Sequence, residues 1–144
     1  LKATLFGSSK QRDKCVTKSN HSTYVRESSK MPSNKIEPKR FHIALGVTDI
    51  KQSVQDYTKR LEREPTLVID GEYALWRTET LNFSIRQTAQ ESGKLRHVGW
   101  EDSEAVGFTS NQDVNDIVWE NFSAQDQAQE ILRIWPHADY PKES

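Results

Sequence analysis

The sequence predicts an α+β domain over residues 41–136, and three observations carry that expectation. In "LNFSIRQ", residues 81–87, Leu81, Phe83 and Ile85 alternate with Asn82, Ser84 and Arg86, the period of a half-buried strand. In "TDIKQSVQDYTKRLER", Ile50, Val54, Tyr57 and Leu61 fall on one face at helical spacing, opposite Lys, Gln and Arg. Between two apolar runs, Asp70-Gly71 is a tight-turn dipeptide of the kind that joins antiparallel strands.

The elements follow in order. "FHIALGVTDI" opens with a strand whose one face holds Phe41, Ile43, Leu45 and Val47, and whose other face holds His42, Ala44 and Gly46. Asp49 suits the N-cap of the following helix, with Gln52 at the position a capping box uses. "PTLVID" is a short strand after the break at Pro65, "EYALWR" the next, "TET" a turn and "LNFSIRQ" the last of a β-α-β-β-β series ending at residue 87. A polar linker, "TAQESGK", leads to the strand "LRHVGWED". "SEAVGFTSNQDVN" reads as a loop, and "DIVWENF" as an apolar strand interrupted by Glu120. Ser123 caps a final helix through Trp135, with Ala124, Ala128, Ile131, Leu132 and Trp135 as its expected buried stripe. Pro136 ends that helix, and residues 137–144 read as a polar tail.

Composition narrows the function classes. The 144 residues suit one domain with a modest core. Charge is unevenly spread: residues 1–40 carry ten Lys/Arg against three Asp/Glu, whereas residues 41–144 carry ten against eighteen. Residues 1–40 are rich in Ser, Lys and Arg, too poor in apolar side chains to offset the entropy of ordering, and read as a disordered basic tail. Its lysines are scattered and its aromatics few, so nucleic acid is not an expected partner. Met31, the sole methionine, suggests a domain whose translation starts there; the Ser/Arg-rich composition offers an organelle transit segment as the alternative. The single cysteine, Cys15, permits no intrachain disulfide, and no apolar run is long enough for a bilayer span. A cytoplasmic protein without membrane partners is therefore expected. Nucleophilic chemistry has no support: the domain lacks cysteine, a Gly-x-Ser-x-Gly turn and a phosphate-cradling glycine loop.

Two strands share a local pattern. In "FHIALGVTD" and "RHVGWED" a histidine sits on the face that also carries small residues, His42 with Ala44 and Gly46, and His97 with Gly99. A bland surface strand would carry Thr, Lys or Glu there; a strand lining a cavity needs the space. Glu101 shares the face of His97 and is expected to be solvated.

With these residues in view, "RFHIALGVTDIKQSVQDYTKRL" followed by "DGEYALWRTETLNFSIRQ" resembles the first module of the glyoxalase/bleomycin resistance protein/extradiol dioxygenase group, the vicinal oxygen chelate superfamily. The resemblance covers residues 41–87 and continues more weakly over 95–122. It implies paired βαβββ modules whose mixed sheet forms a cup, the second module being truncated here because only 22 residues separate His97 from Glu120. It implies metal ligation by His42, His97 and Glu120, a set suited to divalent Fe, Mn, Ni or Zn, with Glu120 also the catalytic carboxylate. Where isomerase-type members carry an acidic ligand on the fourth strand, this chain has Ser84 as the nearest match, which argues against isomerase chemistry and is compatible with the three-ligand pattern. Arg86 would clamp a substrate carboxylate beside Ser84, with Trp76 and Trp100 walling the cup and Tyr73 and Trp119 as further aromatics. The function so implied is binding of a small oxygenated molecule by a metal-dependent lyase or dioxygenase, with a homodimer completing the cup. The residues leave alternatives open: structural histidines, Glu120 in an ion pair with Arg86 or Arg77, and aromatics in the core. At the level of function these correspond to a metal-free binding module of the bleomycin-resistance type, or to a scaffold that has lost its pocket.

Overall fold

A computed structural model describes residues 38–141, all within one compact unit, Lys35–Ser144. The tail reading, with Cys15 and Met31, lies outside the described residues except at its end. There Lys39 and Arg40 already belong to the fold: Lys39 Nζ lies 2.8 Å from Asp102 Oδ2, and Arg40 opens the first strand.

The chain is α+β. Its elements are β1 (Arg40–Val47), α1 (Ile50–Leu61), β2 (Leu67–Ile69), β3 (Tyr73–Arg77), β4 (Leu81–Gln87), β5 (Lys94–Glu101), β6 (Thr109–Gln112), β7 (Val118–Phe122) and α2 (Ala124–Ile134). The strands form one mixed, open sheet in the order β2-β3-β4-β1-β5-β7-β6. β1 runs parallel to β4 and antiparallel to β5, and β5 runs parallel to β7. A parallel neighbour requires a crossover. In the first half α1 supplies it; in the second half the loop after β5 and the strand β6 do so without a helix. Among the described residues no helix is long and apolar enough to cross a membrane.

Alternation assigns the two faces. Ile43, Leu45 and Val47 of β1, with Ala74, Trp76, Phe83 and Ile85, meet Ile50, Val54, Tyr57 and Leu61 of α1. The predicted stripe is thus the one that packs, and Asp49 caps α1 by accepting from Gln52 N at 2.8 Å. On the opposite face Leu67, Tyr73 and Leu75 receive Ile131 of α2, joined by Trp135, Ala138 and Tyr140. The segment expected to be a polar tail therefore begins by packing back onto the sheet. Ser123 and Asp126 form a reciprocal capping box at the start of α2.

Two expectations are corrected. β6 lies within the stretch expected to be a loop; its four residues are polar and exposed at the sheet edge, so neither apolar alternation nor burial marks it. The buried line of α2 runs through Gln127 and Ile131 rather than the predicted alanines, and Leu132 is exposed. An apolar-periodicity argument cannot see a buried glutamine.

Gly99 is the tightest point of the sheet. It pairs with His42 on one side and Glu120 on the other, and an added Cβ would lie inside the Glu120 backbone. A Gly99→Ala substitution must push β5 and β7 apart, costing about 1–3 kcal/mol as overpacking does. Chemical denaturation should show a lower midpoint for this variant; parent-like stability would mean that β7 does not approach β5 so closely.

Candidate functional site

Register builds the site. Asn82 of β4, His42 of β1, Gly99 of β5 and Glu120 of β7 are successive cross-strand partners, so they form one row across the sheet. The row lies on the α2 face. His97 is two residues before Gly99 and pairs with Ala44. Glycine and alanine in these places leave the space that the two imidazoles fill. His42 Nε2 and His97 Nε2 are 3.0 Å apart, and His97 Nε2 is 3.2 Å from Glu120 Oε2. One ligand atom from each of the three lies within 4.8 Å of the others. Bonds of about 2.1 Å at tetrahedral or octahedral angles put neighbouring ligand atoms about 3.0–3.4 Å apart. The two close distances match that spacing, and the residues could hold a divalent ion.

A second tier sets the tautomer of His42. Its Nδ1 lies 2.9 Å from Asn82 Oδ1 and 3.1 Å from Asn82 O, both acceptors, so Nδ1 carries the proton and Nε2 presents a lone pair. Asn82 is oriented in turn: its Nδ2 donates to Glu101 Oε2 and to Gln127 Oε1, both at 2.8 Å, while Gln127 Nε2 returns a bond to Asn82 Oδ1 at 3.2 Å. Glu101 is buried and accepts from Arg77 Nη2 at 2.6 Å and Arg40 Nη1 at 2.9 Å. Burial pushes the Glu101 carboxyl up, but the bonds from Arg77 and Asn82 and the two guanidinium charges hold it below the ordinary range. The expectation that Glu101 is solvated is thereby overturned. Two arginines brought close by tertiary packing make burial of its charge tolerable.

The site opens on a cavity of about 140 Å³ between the sheet and α2. Ser84 and Arg86 line it, as does Tyr73. Arg86 stacks its guanidinium 5.4 Å from the centre of the Trp135 ring. Trp76 and Trp100 do not line it. Trp76 is wholly buried beneath α1, with Nε1 donating to Arg63 O at 3.1 Å. Trp100, one residue beyond Gly99, faces the opposite side and packs edge-on against Phe41 at 5.1 Å. Strand alternation decides both positions. Trp119 also lies against Phe41, its Nε1 donating to Asp113 Oδ2 at 2.9 Å. Arg77 pairs with Glu101 in place of the predicted alternative, Glu120.

No family model matches this chain, and neither does any curated protein.

Sequence reasoning passed over Arg96, Gln127 and the supporting role of Asn82. Asn82 was visible as a polar residue on the inward face of β4. Arg96 was not: β5 shifts register between the Ala44–His97 and Leu45–Leu95 pairs, so Arg96 leaves strict alternation and joins His97 at the cavity.

Burial holds both imidazoles below the ordinary histidine value, and His97, further opposed by His42 and Arg96, is pushed down to about 4. Burial and Glu130 raise the Glu120 carboxyl, against the pull of Arg96. For His97 the unfolded chain binds its proton first as pH falls. The metal-free protein should therefore lose stability as pH drops below the ordinary histidine value of 6.5, the loss being complete near 4. Thermal unfolding should show Tm falling over that window, and less steeply in His97→Gln; equal slopes in the two proteins would place His97 in solvent-like surroundings.

Proposed function

We propose that this protein is a divalent-metal-dependent enzyme, a lyase or dioxygenase of the vicinal oxygen chelate superfamily, acting on a small oxygenated molecule. The observation that carries the reading is the convergence of His42 Nε2, His97 Nε2 and a Glu120 carboxylate oxygen beside a cavity, with the His42 tautomer already set for ligation. The element series β1-α1-β2-β3-β4 and the parallel pairing of β1 with β4 support a βαβββ module, and the parallel pairing of β5 with β7 supports a shortened second one.

In this reading His42, His97 and Glu120 hold the ion, and Fe, Mn, Ni and Zn all suit such a set. When bound, a divalent ion supplies Lewis-acid polarisation of a substrate oxygen. The chain's own residues do the rest. Asn82 keeps the proton on Nδ1 of His42, and the Glu101 carboxylate keeps Asn82 in place. Ser84 and Arg86 offer a hydroxyl and a cation to the bound molecule, and α2 forms one wall of the cavity. The reading includes a homodimer, supported by Phe41, Trp100 and Trp119, which share the α1 face of the sheet but stand outside the core that α1 covers.

Metal content of the untagged full chain should approach one ion per chain after incubation with Fe, Mn, Ni or Zn, and fall to background in His42→Ala/His97→Ala. Asn82→Ala, which keeps all three ligands, should weaken metal affinity by about 10–100-fold, as loss of a partner behind a ligating histidine does. A parent protein that takes up none of the four metals refutes the reading.

A further inference from the structure

The cavity carries a second feature beyond the three candidate ligands: two guanidinium groups converge on it. Arg86 of β4 pairs in register with Gly46 of β1, and on the other side of β1 the bulge in β5 turns Arg96 toward the same place. Gly46 leaves open space beside Arg96 and Thr88. A Cβ built there would meet Arg96 Cδ at 3.9 Å and Thr88 Cγ2 at 3.0 Å, so a side chain at this position would crowd the gap. Both arginines line the cavity over His97 and Glu120, and both also line the more open cleft beyond it, with Lys94 and Gln87. They therefore stand at the boundary between the inner cavity and its mouth.

Their surroundings leave them available. Among the described residues, neither Arg86 nor Arg96 is hydrogen-bonded or ion-paired to a carboxylate; Trp135 supports Arg86 from one side by a cation–π contact. Glu120 and Glu130 act on Arg96 only at longer range, and Arg86 opposes its charge. The repulsion between the two guanidinium charges, offset in part by Glu120 and Glu130, is further relieved when an anion lies between them. Guanidinium groups match a carboxylate geometrically, because each presents parallel N–H donors to its two oxygens. Size limits the ligand further. A cavity of about 150 Å³ accommodates a benzene-sized molecule, and this one measures about 140 Å³.

We propose that Arg86 and Arg96 form a carboxylate subsite, and that the substrate class is a small 2-hydroxy or 2-oxo acid. Its carboxylate lies between the two guanidinium groups, and its neighbouring oxygen is directed toward His42, His97 and Glu120. Any larger substituent leaves through the cleft at Lys94. This deepens the reading given under Proposed function and rests on it for the position of that second oxygen, whereas the subsite itself rests on the arginines alone.

The test uses the full chain, with and without Mn²⁺, titrated calorimetrically with lactate and with lactamide, its neutral counterpart of the same shape. Mn²⁺ stoichiometry is measured separately by equilibrium dialysis. Lactate should bind at least about tenfold more tightly than lactamide, the order expected for charge-assisted hydrogen bonds. Arg86→Gln and Arg96→Gln should each remove most of that preference while leaving Mn²⁺ stoichiometry unchanged. Arg96 is exposed at the edge of the cavity, so its variant is the one expected to fold without disturbance. Arg96→Lys should recover part of the preference, since it keeps the charge and loses the forked donors. No lactate binding by the parent, equal affinity for the two probes, or a preference that survives both substitutions overturns the subsite. An arginine-dependent preference in a protein that takes up none of Mn²⁺, Fe²⁺, Ni²⁺ and Zn²⁺ refutes the metal reading and leaves the subsite standing.

Discussion

The buried carboxylate of Glu101 is the charge around which the inner face is organised. An unpaired carboxylate in such a place costs several kcal/mol. Arg77 and Arg40 meet it from β3 and β1, and Asn82 meets it from β4, so three strands and β5 are tied through one side chain. Once Asn82 Nδ2 is committed to Glu101 and Gln127, its Oδ1 can only face His42, and that fixes which nitrogen of His42 carries the proton. The orientation of the candidate ligand is thus a consequence of how a buried charge is satisfied two residues away in the network.

The two faces of the sheet do different work because the helices are distributed unequally. α1 packs an aliphatic and aromatic core against the first half, where the Trp76 indole N–H is met by Arg63 O. α2 crosses the other face, but its buried line includes Gln127, so it encloses the polar row and does not replace it with an apolar core. The second half has no helix between β5 and β6, and Phe41, Trp100 and Trp119 form a partly exposed aromatic cluster on the face opposite the cavity. The economy of the second half is visible again at Gly99, where β7 comes too close for any side chain.

Much of this was legible from local pattern. The alternation of Leu81, Phe83 and Ile85 and the stripe Ile50, Val54, Tyr57 and Leu61 are each a direct result of burying one face, so period alone located β4, α1 and the face each presents. The family resemblance, and not local pattern, grouped His42, His97 and Glu120, and the structure brings them together. What escaped notice lacked a periodic signature. β6 is polar on both faces, Arg96 leaves alternation through a bulge, and Gln127 is a polar residue in a position that periodicity reserves for apolar ones. Trp76 and Trp100 looked suited to a pocket by residue type, yet the parity of their positions along β3 and β5 sends them to other surroundings.

By itself, then, the sequence determined the strands and helices other than β6, the apolar side of the strands and of α1, and the small residues that make room beside the two histidines. These are properties of neighbours along the chain, written in periods of two and of about three and a half residues. Tertiary structure alone decided that Glu101 is buried, that Arg77 serves it in preference to Glu120, that Asn82 sets the His42 tautomer, and that Arg86 and Arg96 line one cavity. The hydrogen bonds of that network join residues 19 to 61 positions apart in the chain, and no local pattern encodes a distance of that kind.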